Sequence, residues 1–303
     1  MVLVRFQQGD QKQNQMVNFN EELHQYTNHQ GEVYISATQI LEHYIPKFDK
    51  DFWMYYKVLQ DKLGFPDDEF GKKAYVKYLI QSFGFNFKQK SLELLKEISF
   101  NLGFGEELDM KYKEAEWKKK NKDSLIRGTA FHESMEKKNL IQESKKMECG
   151  NTIHYYSYNK GLENTEFGRN RIEGIPELRL YNHRYRIAGT TDDPVFYPNK
   201  KVKINDFKTN REIKLKNAWG KMLYPLHKLD DCNFSHYNIQ LSLYGWMLEQ
   251  FGYEVVGLSI EHYLFNEEGK AIGCIPYPMK YLKKEVEALL EHYEFNHQRI
   301  LHV

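Results

Sequence analysis

Asp206 and Lys208 have residue types and a spacing that suit metal-assisted chemistry. They lie in the segment 202–208, whose pattern predicts a β-strand, and residues two apart on a strand point to the same face of its sheet. A carboxylate beside an ammonium group can hold a hard divalent cation while the lysine orients water or stabilises developing charge. The same pairing also occurs as an exposed charge pair, so the interpretation depends on neighbouring residues.

Further acidic residues precede this pair along the chain. Glu177 opens one predicted strand, and Asp192 ends the next. Because neighbouring antiparallel strands lie about 4.8 Å apart, the carboxylates of Glu177, Asp192 and Asp206 can converge. Oxygen ligands of this kind are typical of Mg²⁺, which can polarise a phosphodiester and generate hydroxide near neutral pH. The group therefore predicts a magnesium site, and the adjacent Asp193 leaves open which of the two aspartates is the ligand.

The strands that carry these residues belong to a longer series of predicted elements. The three strands are predicted over 177–181, from 184 into 189–192, and over 202–208, with turns at 182–183 and 198–200. A helix over 236–251 ended by Gly252, a strand over 255–265 and an amphipathic helix over 279–301 follow. Strands and helices mixed in this order predict an α/β fold with a central mixed β-sheet flanked by helices.

The N-terminal part of the sequence predicts a hairpin followed by helices. Strands around 19–26 and over 32–35 are joined by a turn at 28–31, and Ser36 caps a helix over 37–44 that Pro46 ends. The pattern from 52 to 122 is mainly helical, with breaks at 64–66 and 103–105, and another helix is predicted to begin at Asp123 or Ser124. The aromatic residues Phe52, Trp53, Tyr55 and Tyr56 lie at a spacing that favours a helical core over a surface for unpaired bases.

The composition excludes several classes of protein. The 303 residues include 43 Lys and Arg against 42 Asp and Glu, and the 15% aromatic content argues against disorder. The three cysteines are odd in number and far apart, which fits neither a disulfide framework nor a Cys-x-x-Cys metal site. No apolar run approaches the roughly 20 residues of a membrane span, and the first ten residues lack a secretion signal. We therefore expect a cytoplasmic protein with no membrane partner, while a local basic patch could still bind nucleic acid.

The order of these motifs resembles the PD-(D/E)XK nuclease superfamily, in particular its RecB-type and phage exonuclease-like branch. The matching residues are Gly189-x-x-Asp192, then Asp206-Phe207-Lys208-Thr209, then Gln240-x-x-x-Tyr244. A helical Gly-x-x-x-His element precedes the strands in that branch, and Gly128 to His132 matches it. The resemblance covers about residues 124–263, and its ordered set of motifs is specific although each motif alone is not.

The resemblance implies a role for each matching residue. Metal ligation is implied for His132, Asp192, Asp206 and the carbonyl of Phe207, and catalysis for Glu177, Asp192, Asp206 and Lys208, with Lys208 acting on the attacking water. Glu177 would bind or orient a ligand. Substrate contacts are implied for Gln240 and Tyr244, and Tyr237 lies on the same helical face because it precedes Gln240 by three residues. Lys200 and Lys201 are candidate phosphate contacts by their position beside the predicted catalytic strand.

Some residues depart from the pattern or have a simpler interpretation. Asn205 stands where relatives usually have an apolar residue, which predicts a less buried start to the strand. Three cysteines are too few for the iron–sulfur cluster of some branch members, so we expect no cluster. His132 and Glu177 could instead be solvent-facing, and Gln240 and Tyr244 could simply belong to the core.

Taken with the residues, the resemblance implies a restriction-endonuclease-like core over 123–303. Residues 1–122 would form a hairpin and a mainly helical extension that packs on the core and shapes a channel for a strand end. The implied activity is a Mg²⁺- or Mn²⁺-dependent DNA exonuclease of phage-type recombination, replication or repair, acting on a strand end or single strand. A single-strand-annealing or replication protein would be its partner, and the host cytoplasm its location if a phage encodes it. Two alternatives stay open: an endonuclease that cuts duplex or branched DNA internally, and a non-catalytic nucleic-acid-binding or structural protein on a nuclease fold.

Overall fold

The computed structural model describes most of the chain in two compact units. The described residues are 17–20, 23, 25–87, 89–104, 107–140, 143–146, 152–155, 173–174, 177–217, 220–266 and 268–297. One unit comprises the described parts of 1–46 and 127–303, and the other comprises those of 47–126. Among the described residues, no helix combines the length and the apolar composition that crossing a membrane requires.

Strands and helices are mixed along the described chain. The strands are β1 (Val17–Asn20), β2 (Gln25–Asn28), β3 (Val33–Ser36), β4 (Glu143–Lys146), β5 (Thr152–Tyr155), β6 (Glu173–Gly174), β7 (Leu178–Asn182), β8 (Ile187–Thr191), β9 (Asp193–Tyr197), β10 (Lys201–Lys208), β11 (Glu254–Phe265) and β12 (Ala271–Met279). The helices are α1 (Ala37–Glu42), α2 (Lys50–Lys62), α3 (Glu69–Phe83), α4 (Leu92–Asn101), α5 (Glu107–Leu140), α6 (Asn233–Glu249) and α7 (Lys283–His297).

The unit formed by residues 47–126 is helical and has an aromatic core. The N-cap side chains of Asp49, Asp68 and Ser91 each accept a hydrogen bond from a backbone N–H in the first turn of α2, α3 and α4. Phe52 and Tyr56 are buried in the core of this unit. Trp53 and Tyr55 pack against that core, so these four aromatic residues are core residues as their spacing favours.

Helix α5 is continuous across the point where the sequence predicted a new helix. The predicted start at Asp123 or Ser124 is wrong, because this segment contains no proline and Gly128 is its one glycine. Ion pairs between residues four apart, such as Lys120 with Glu116, support the helix on its exposed side. The predicted boundary between 122 and 123 therefore lies inside α5, as does the boundary between the two units.

Two five-stranded mixed sheets form the framework of the other unit. Their strand orders are β1-β2-β3-β8-β7 and β12-β11-β10-β9-β6. The neighbours β3 and β8 are parallel, as are β10 and β11, and the remaining pairs in both sheets are antiparallel. The predicted α/β class is confirmed, but the expected central sheet is divided. The chain passes from one sheet to the other between β8 and β9, at Asp192.

The N-terminal hairpin belongs to the first of these sheets. The N-cap predicted at Ser36 is confirmed, and it forms a capping box, since its side chain accepts from Gln39 N while its own N–H donates to the Gln39 side chain. The segment predicted as one strand forms two, β1 and β2, because the Asn20 side chain accepts a hydrogen bond from Leu23 N and turns the chain. Residues 21, 22 and 24 of that segment lie outside the described residues.

Three strands of the second sheet were not predicted, namely β6, β9 and β12. The first two residues of β9, Asp193 and Pro194, are typical of a turn. Strand β12 contains Pro276 and Pro278, and proline is uncommon within strands. Because β12 is an edge strand, a proline there can point its nitrogen away from the neighbouring strand without losing a ladder hydrogen bond. The last helix accordingly begins at Lys283 rather than 279, and its predicted end beyond 297 lies outside the described residues.

Helix α6 packs its length into the core of this unit. The residues from Asn238 to Leu248 are buried on every side of the helix apart from Gln240, which is half-buried. A helix that is apolar all round needs partners on all faces, and α6 contacts β7, β8, β10, β11 and helices α1 and α7. The side chains that α6 directs toward the carboxyl end of β10 are thereby held in fixed positions.

Candidate metal centre

The end of strand β10 carries the predicted acidic residue and lysine on one face. Asp206 is only 2% exposed, and its carboxylate forms a hydrogen-bonded ion pair with the ammonium group of Lys208. The Lys208 side chain is 16% exposed, so the pair lies at the margin of the interior. The period of two along a strand is therefore sufficient to bring these two groups together, as the sequence predicted.

Asp192 reaches the same place from the junction between β8 and β9. Its carboxylate accepts a hydrogen bond of 2.8 Å from the backbone N–H of Phe207, between Asp206 and Lys208. Asp193 turns to the other side, where its carboxylate accepts from the Asn205 amide at 3.3 Å. The geometry thus favours Asp192 over Asp193 as the ligand residue.

Asn205 is buried, contrary to the prediction of a less buried strand. It is 6% exposed, because both ends of its amide have partners. The amide nitrogen donates to Asp193, and the amide oxygen accepts from Ser259 Oγ at 2.6 Å. A buried amide with both ends paired does not carry the penalty of an unsatisfied polar group.

Glu177 precedes β7 rather than opening it, and its backbone lies in the left-handed region with φ of +50°. A side chain of this size is uncommon there, and the conformation is one that surrounding contacts must hold. One such contact is the hydrogen bond from Glu177 N to the carbonyl of Asp192, 3.1 Å long. The two acidic residues are therefore fixed to each other through their backbones.

His132 completes the group from helix α5. Its Nδ1 lies 3.5 Å from a carboxylate oxygen of Asp192. His132, Glu177 and Asp192 each offer one ligand atom, and these atoms all lie within 4.8 Å of one another. This half-buried group could hold a metal ion. Asp206, which the sequence predicted as a ligand, lies beside the group and is bound to Lys208.

The charges in this group perturb one another. Burial raises the pKa of Asp192 well above its ordinary value, and the charges of Asp206 and Glu177 add to the effect, while Lys208 and the Phe207 N–H oppose it. Burial followed by the charge of Lys208 lowers the pKa of His132, although Asp206 and a hydrogen bond with the Phe207 backbone act the other way. Burial would lower the pKa of Lys208, but Asp206 and Asp192 more than offset it, so this pKa is raised.

The pKa shifts of His132 and Asp192 favour the binding of a cation. A neutral imidazole keeps a lone pair available for a metal, and crowded carboxylates would lose their mutual repulsion on binding one. One nitrogen and several oxygen donors form a set that Mg²⁺ or Mn²⁺ accepts. The Phe207 carbonyl lies next to this set, since its residue contacts both His132 and Asp192. The residues present therefore fit the metal that the sequence implied.

Helix α6 supports the site with the three predicted side chains. The Tyr237 ring lies 4.7 Å from Lys208 Nζ, and its hydroxyl donates to the Asn210 side chain at 2.7 Å. Gln240 Nε2 donates to the Tyr244 hydroxyl at 2.9 Å. Tyr244 is 3% exposed and lies close enough to Asp206 and Asp192 for their charges to raise its pKa further after burial, whereas Tyr237 and Gln240 keep exposed surface. Substrate contact by these residues stays a prediction.

The glycine of the Gly189-x-x-Asp192 motif makes room for Tyr244. A Cβ atom at Gly189 would lie 2.5 Å from a ring carbon of Tyr244, closer than real Cβ contacts. We expect Gly189→Ala to lower the free energy of unfolding by about 1–3 kcal/mol, because the buried ring cannot move aside without strain. Urea unfolding monitored by circular dichroism measures this.

Gly273→Ala is the matched control for this substitution. A Cβ at Gly273, also in a strand, would find its nearest neighbour at 4.0 Å. We expect its unfolding midpoint to stay near that of the unsubstituted protein. Equal losses at both positions would show that contact with Tyr244 does not determine the requirement for Gly189.

Lys200 and Lys201 are not brought to the group. They lie at the opposite end of β10, and the five residue steps from Lys201 to Asp206 span about 17 Å at roughly 3.3 Å per step. The Lys201 ammonium lies 3.9 Å from the Glu254 carboxylate instead. Their suggested phosphate contacts are not supported by proximity to the site.

The position and contacts of His262 were not predicted. This residue is paired with Lys208 in the parallel ladder between β11 and β10, and it is buried. Its Nε2 lies 2.6 Å from the carbonyl of Asn210, so the ring fixes the chain two residues beyond Lys208. The pattern predicted the strand that contains His262, but a parallel register between distant strands leaves no local pattern that would reveal the contact.

Comparisons with known proteins do not identify a family for this chain. No protein-family model matches it, and no curated protein matches it. A solved structure described as SSO0001 is 16% identical, with a TM-score of 0.29. The similarity covers 61% of this chain and 66% of the length of that protein. A structure from Eubacterium rectale named "Putative exonuclease" is 12% identical, with a TM-score of 0.31 over 88% of this chain and 80% of that one. At such TM-scores, neither similarity establishes a shared fold or activity.

Proposed function

We propose that this chain is a DNA exonuclease that depends on a divalent cation, Mg²⁺ or Mn²⁺. The observation that carries the proposal is the convergence of His132, Glu177 and Asp192 within 4.8 Å, with the ion pair of Asp206 and Lys208 beside them. Residues from α5, a turn, the junction between two sheets and the end of β10 thus meet at one place. Such a group of oxygen and nitrogen donors with an adjoining lysine is suited to hydrolysis of phosphodiesters.

The residues that would hold the cation are His132, Glu177 and Asp192, joined by the Asp206 carboxylate and the Phe207 carbonyl. When bound, the cation would supply Lewis-acid polarisation of the phosphate and a lowered pKa for water. The Phe207 N–H holds the Asp192 carboxylate in place, and the backbone hydrogen bond between Glu177 and Asp192 orients the second carboxylate. These contacts fix the donors before any ligand arrives, which reduces the entropy lost on binding.

Lys208 would act through its ammonium group. Asp206 holds this group on one side, and the Tyr237 ring lies 4.7 Å away on another, so the side chain has little freedom. An ammonium fixed in this way can donate a hydrogen bond to the attacking water or to a phosphate oxygen as negative charge develops. Lys208 would therefore be needed for turnover, but it would not be needed for binding of the metal.

The choice of DNA and of a strand end rests on the motif resemblance. The order of Gly189-x-x-Asp192, the strand containing Asp206 and Lys208, and the helix containing Gln240 supports it. Action in recombination, replication or repair and association with an annealing protein are part of the same proposal. A channel shaped by the helical region stays a prediction.

Digestion of end-labelled linear DNA beside covalently closed circular DNA tests the proposal. We expect linear substrate to be digested with Mg²⁺ or Mn²⁺, the circle to stay intact, and EDTA to stop the reaction, because an exonuclease needs an end and the site needs a cation. Single-stranded and duplex forms of each substrate are compared in parallel. Cleavage of the circle would show an endonuclease instead. Absence of cleavage with either cation on every substrate would contradict a nuclease.

A further inference from the structure

Four aromatic rings form a cluster beside the metal centre. The Phe131 ring centroid lies 4.5 Å from that of Tyr263, 5.5 Å from that of Phe265 and 6.4 Å from that of Phe207. Phe131 directly precedes His132 on α5, and the His132 and Phe207 ring centroids are 6.2 Å apart. The aromatic cluster therefore adjoins the proposed metal ligands.

The aromatic cluster is separate from the main core of its unit. The buried core around α6 and the two sheets does not include these rings, and the apolar residues packed against that core do not include them either. Phe207 is buried, whereas Phe131, Tyr263 and Phe265 each keep part of their surface exposed. Partly exposed rings grouped next to a catalytic centre offer π-faces to a flat ligand.

Arg127 adds a cation to one end of the aromatic cluster. Its guanidinium lies 5.6 Å above the Phe265 ring, and its Nε is buried without a hydrogen-bond partner in the described part of the chain. A buried donor left unpaired costs free energy, so an unpaired donor next to a candidate site indicates that a ligand could supply the missing acceptor. The comparable Arg184, which lies 4.9 Å over the Tyr185 ring, has a carboxylate partner in Glu294 at 3.0 Å.

We propose that Arg127 and the aromatic cluster bind one unpaired nucleotide next to the scissile phosphate. The base stacks on the Phe265 ring, beside the perpendicular Phe131 ring, and the Arg127 guanidinium donates to the phosphate of that nucleotide. This rests on the proposed function, because it takes the substrate to be a nucleic acid. A base inside a duplex has both faces covered by its neighbours, so the site selects unpaired strands or frayed ends.

Binding of a fluorescent single-stranded oligonucleotide in EDTA tests the proposal without requiring cleavage. We expect Phe265→Leu to raise Kd by about tenfold, the loss of one stacking contact, while leaving the salt dependence unchanged. We expect Arg127→Gln to reduce the slope of log K against log salt concentration by about 0.7, the value for one phosphate contact on a single strand. Fluorescence anisotropy over a series of salt concentrations gives both quantities.

Matched controls come from the same unit. Phe251→Leu changes a 40% exposed aromatic residue at the turn after α6, and Arg184→Gln removes another arginine that lies over a ring. We expect both to bind like the unsubstituted protein. Thermal melts establish that each variant is folded, and if Phe265→Leu is not folded, the salt slope of Arg127→Gln alone decides the outcome.

A blunt duplex of the same length provides the specificity measurement. The unsubstituted protein is expected to bind the single strand more tightly than the duplex, and Phe265→Leu is expected to reduce that preference. Unchanged affinity and unchanged salt slope in the variants, or equal changes in the controls, would overturn this proposal even if the chain digests DNA. Conversely, the expected binding changes in a protein that cleaves no substrate would support this site while contradicting the proposed function.

Discussion

Asp206→Asn is expected to reduce cation-dependent cleavage of DNA by about a thousand-fold or more while the protein stays folded. The substitution removes a charge beside the His132, Glu177 and Asp192 group, and transition-state stabilisation by a bound cation amounts to several kcal/mol, where about 4 kcal/mol corresponds to a thousand-fold. The asparagine oxygen still accepts a hydrogen bond from Lys208, and the Asp192 carboxylate remains a nearby counter-charge for that ammonium group, so we expect the free energy of unfolding to change by no more than about 1 kcal/mol. Initial cleavage rates and urea unfolding measure the two effects.

Asp193→Asn is the control for this prediction. The two positions carry the same residue type on neighbouring strands, but the Asp193 carboxylate turns away from the site and accepts from Asn205. We expect Asp193→Asn to keep cleavage within a few-fold of the unsubstituted rate, and Asp192→Asn to lose it as Asp206→Asn does. A thousand-fold loss in Asp193→Asn, or full activity in Asp206→Asn, would contradict this assignment of the carboxylates.

Much of the site was predictable because it depends on local periodicity. The alternation of a strand places Asp206 and Lys208 on one face, and the spacing of a helix places Tyr237, Gln240 and Tyr244 together. Glu177 was predicted to lie near Asp192, and a backbone hydrogen bond in register with the β7–β8 pairing holds it there, although Glu177 itself precedes β7. Local patterns therefore indicate which side chains can meet, but not the exact residue at which a strand begins.

The long-range features were not predictable in the same way. The division into two sheets depends on the chain changing sheets at Asp192, and nothing in the alternation of β8 and β9 distinguishes one sheet from two. The continuity of α5 shows the same limit. Asp123 and Ser124 are residue types that can cap the start of a helix, but here they lie inside a helix that no proline interrupts. The Gly189-x-x-Asp192 motif was recognised from the sequence, but the reason why its first residue is glycine was not. The structure shows that the Tyr244 ring occupies the space that a Cβ of residue 189 would need.

Lys208→Ala is expected to lower the maximal rate of cleavage by about a hundred- to a thousand-fold while cation binding is retained. In the proposed reaction the lysine would donate to charge that develops at the transition state, and removal of one such donor has effects of about this size. Its ammonium also competes with a cation for the Asp206 carboxylate, so the variant should bind the cation at least as tightly as the unsubstituted protein. Single-turnover rates at saturating Mg²⁺ or Mn²⁺ measure the first effect, and the cation-dependent rise in Tm measures the second.

The stability of this variant separates the two roles of the lysine. Without Lys208, the buried Asp206 carboxylate lacks its partner, and breaking a buried ion pair from one side costs about 3–5 kcal/mol when no cation is present. We therefore expect a lower Tm in EDTA and a larger recovery on adding cation than in the unsubstituted protein. Lys203→Ala, from the other half of the same strand, should show neither effect, since its stem packs near Gly257. A Lys208→Ala protein that neither gains more stability from the cation nor loses turnover would contradict a direct role for this ammonium at the metal centre.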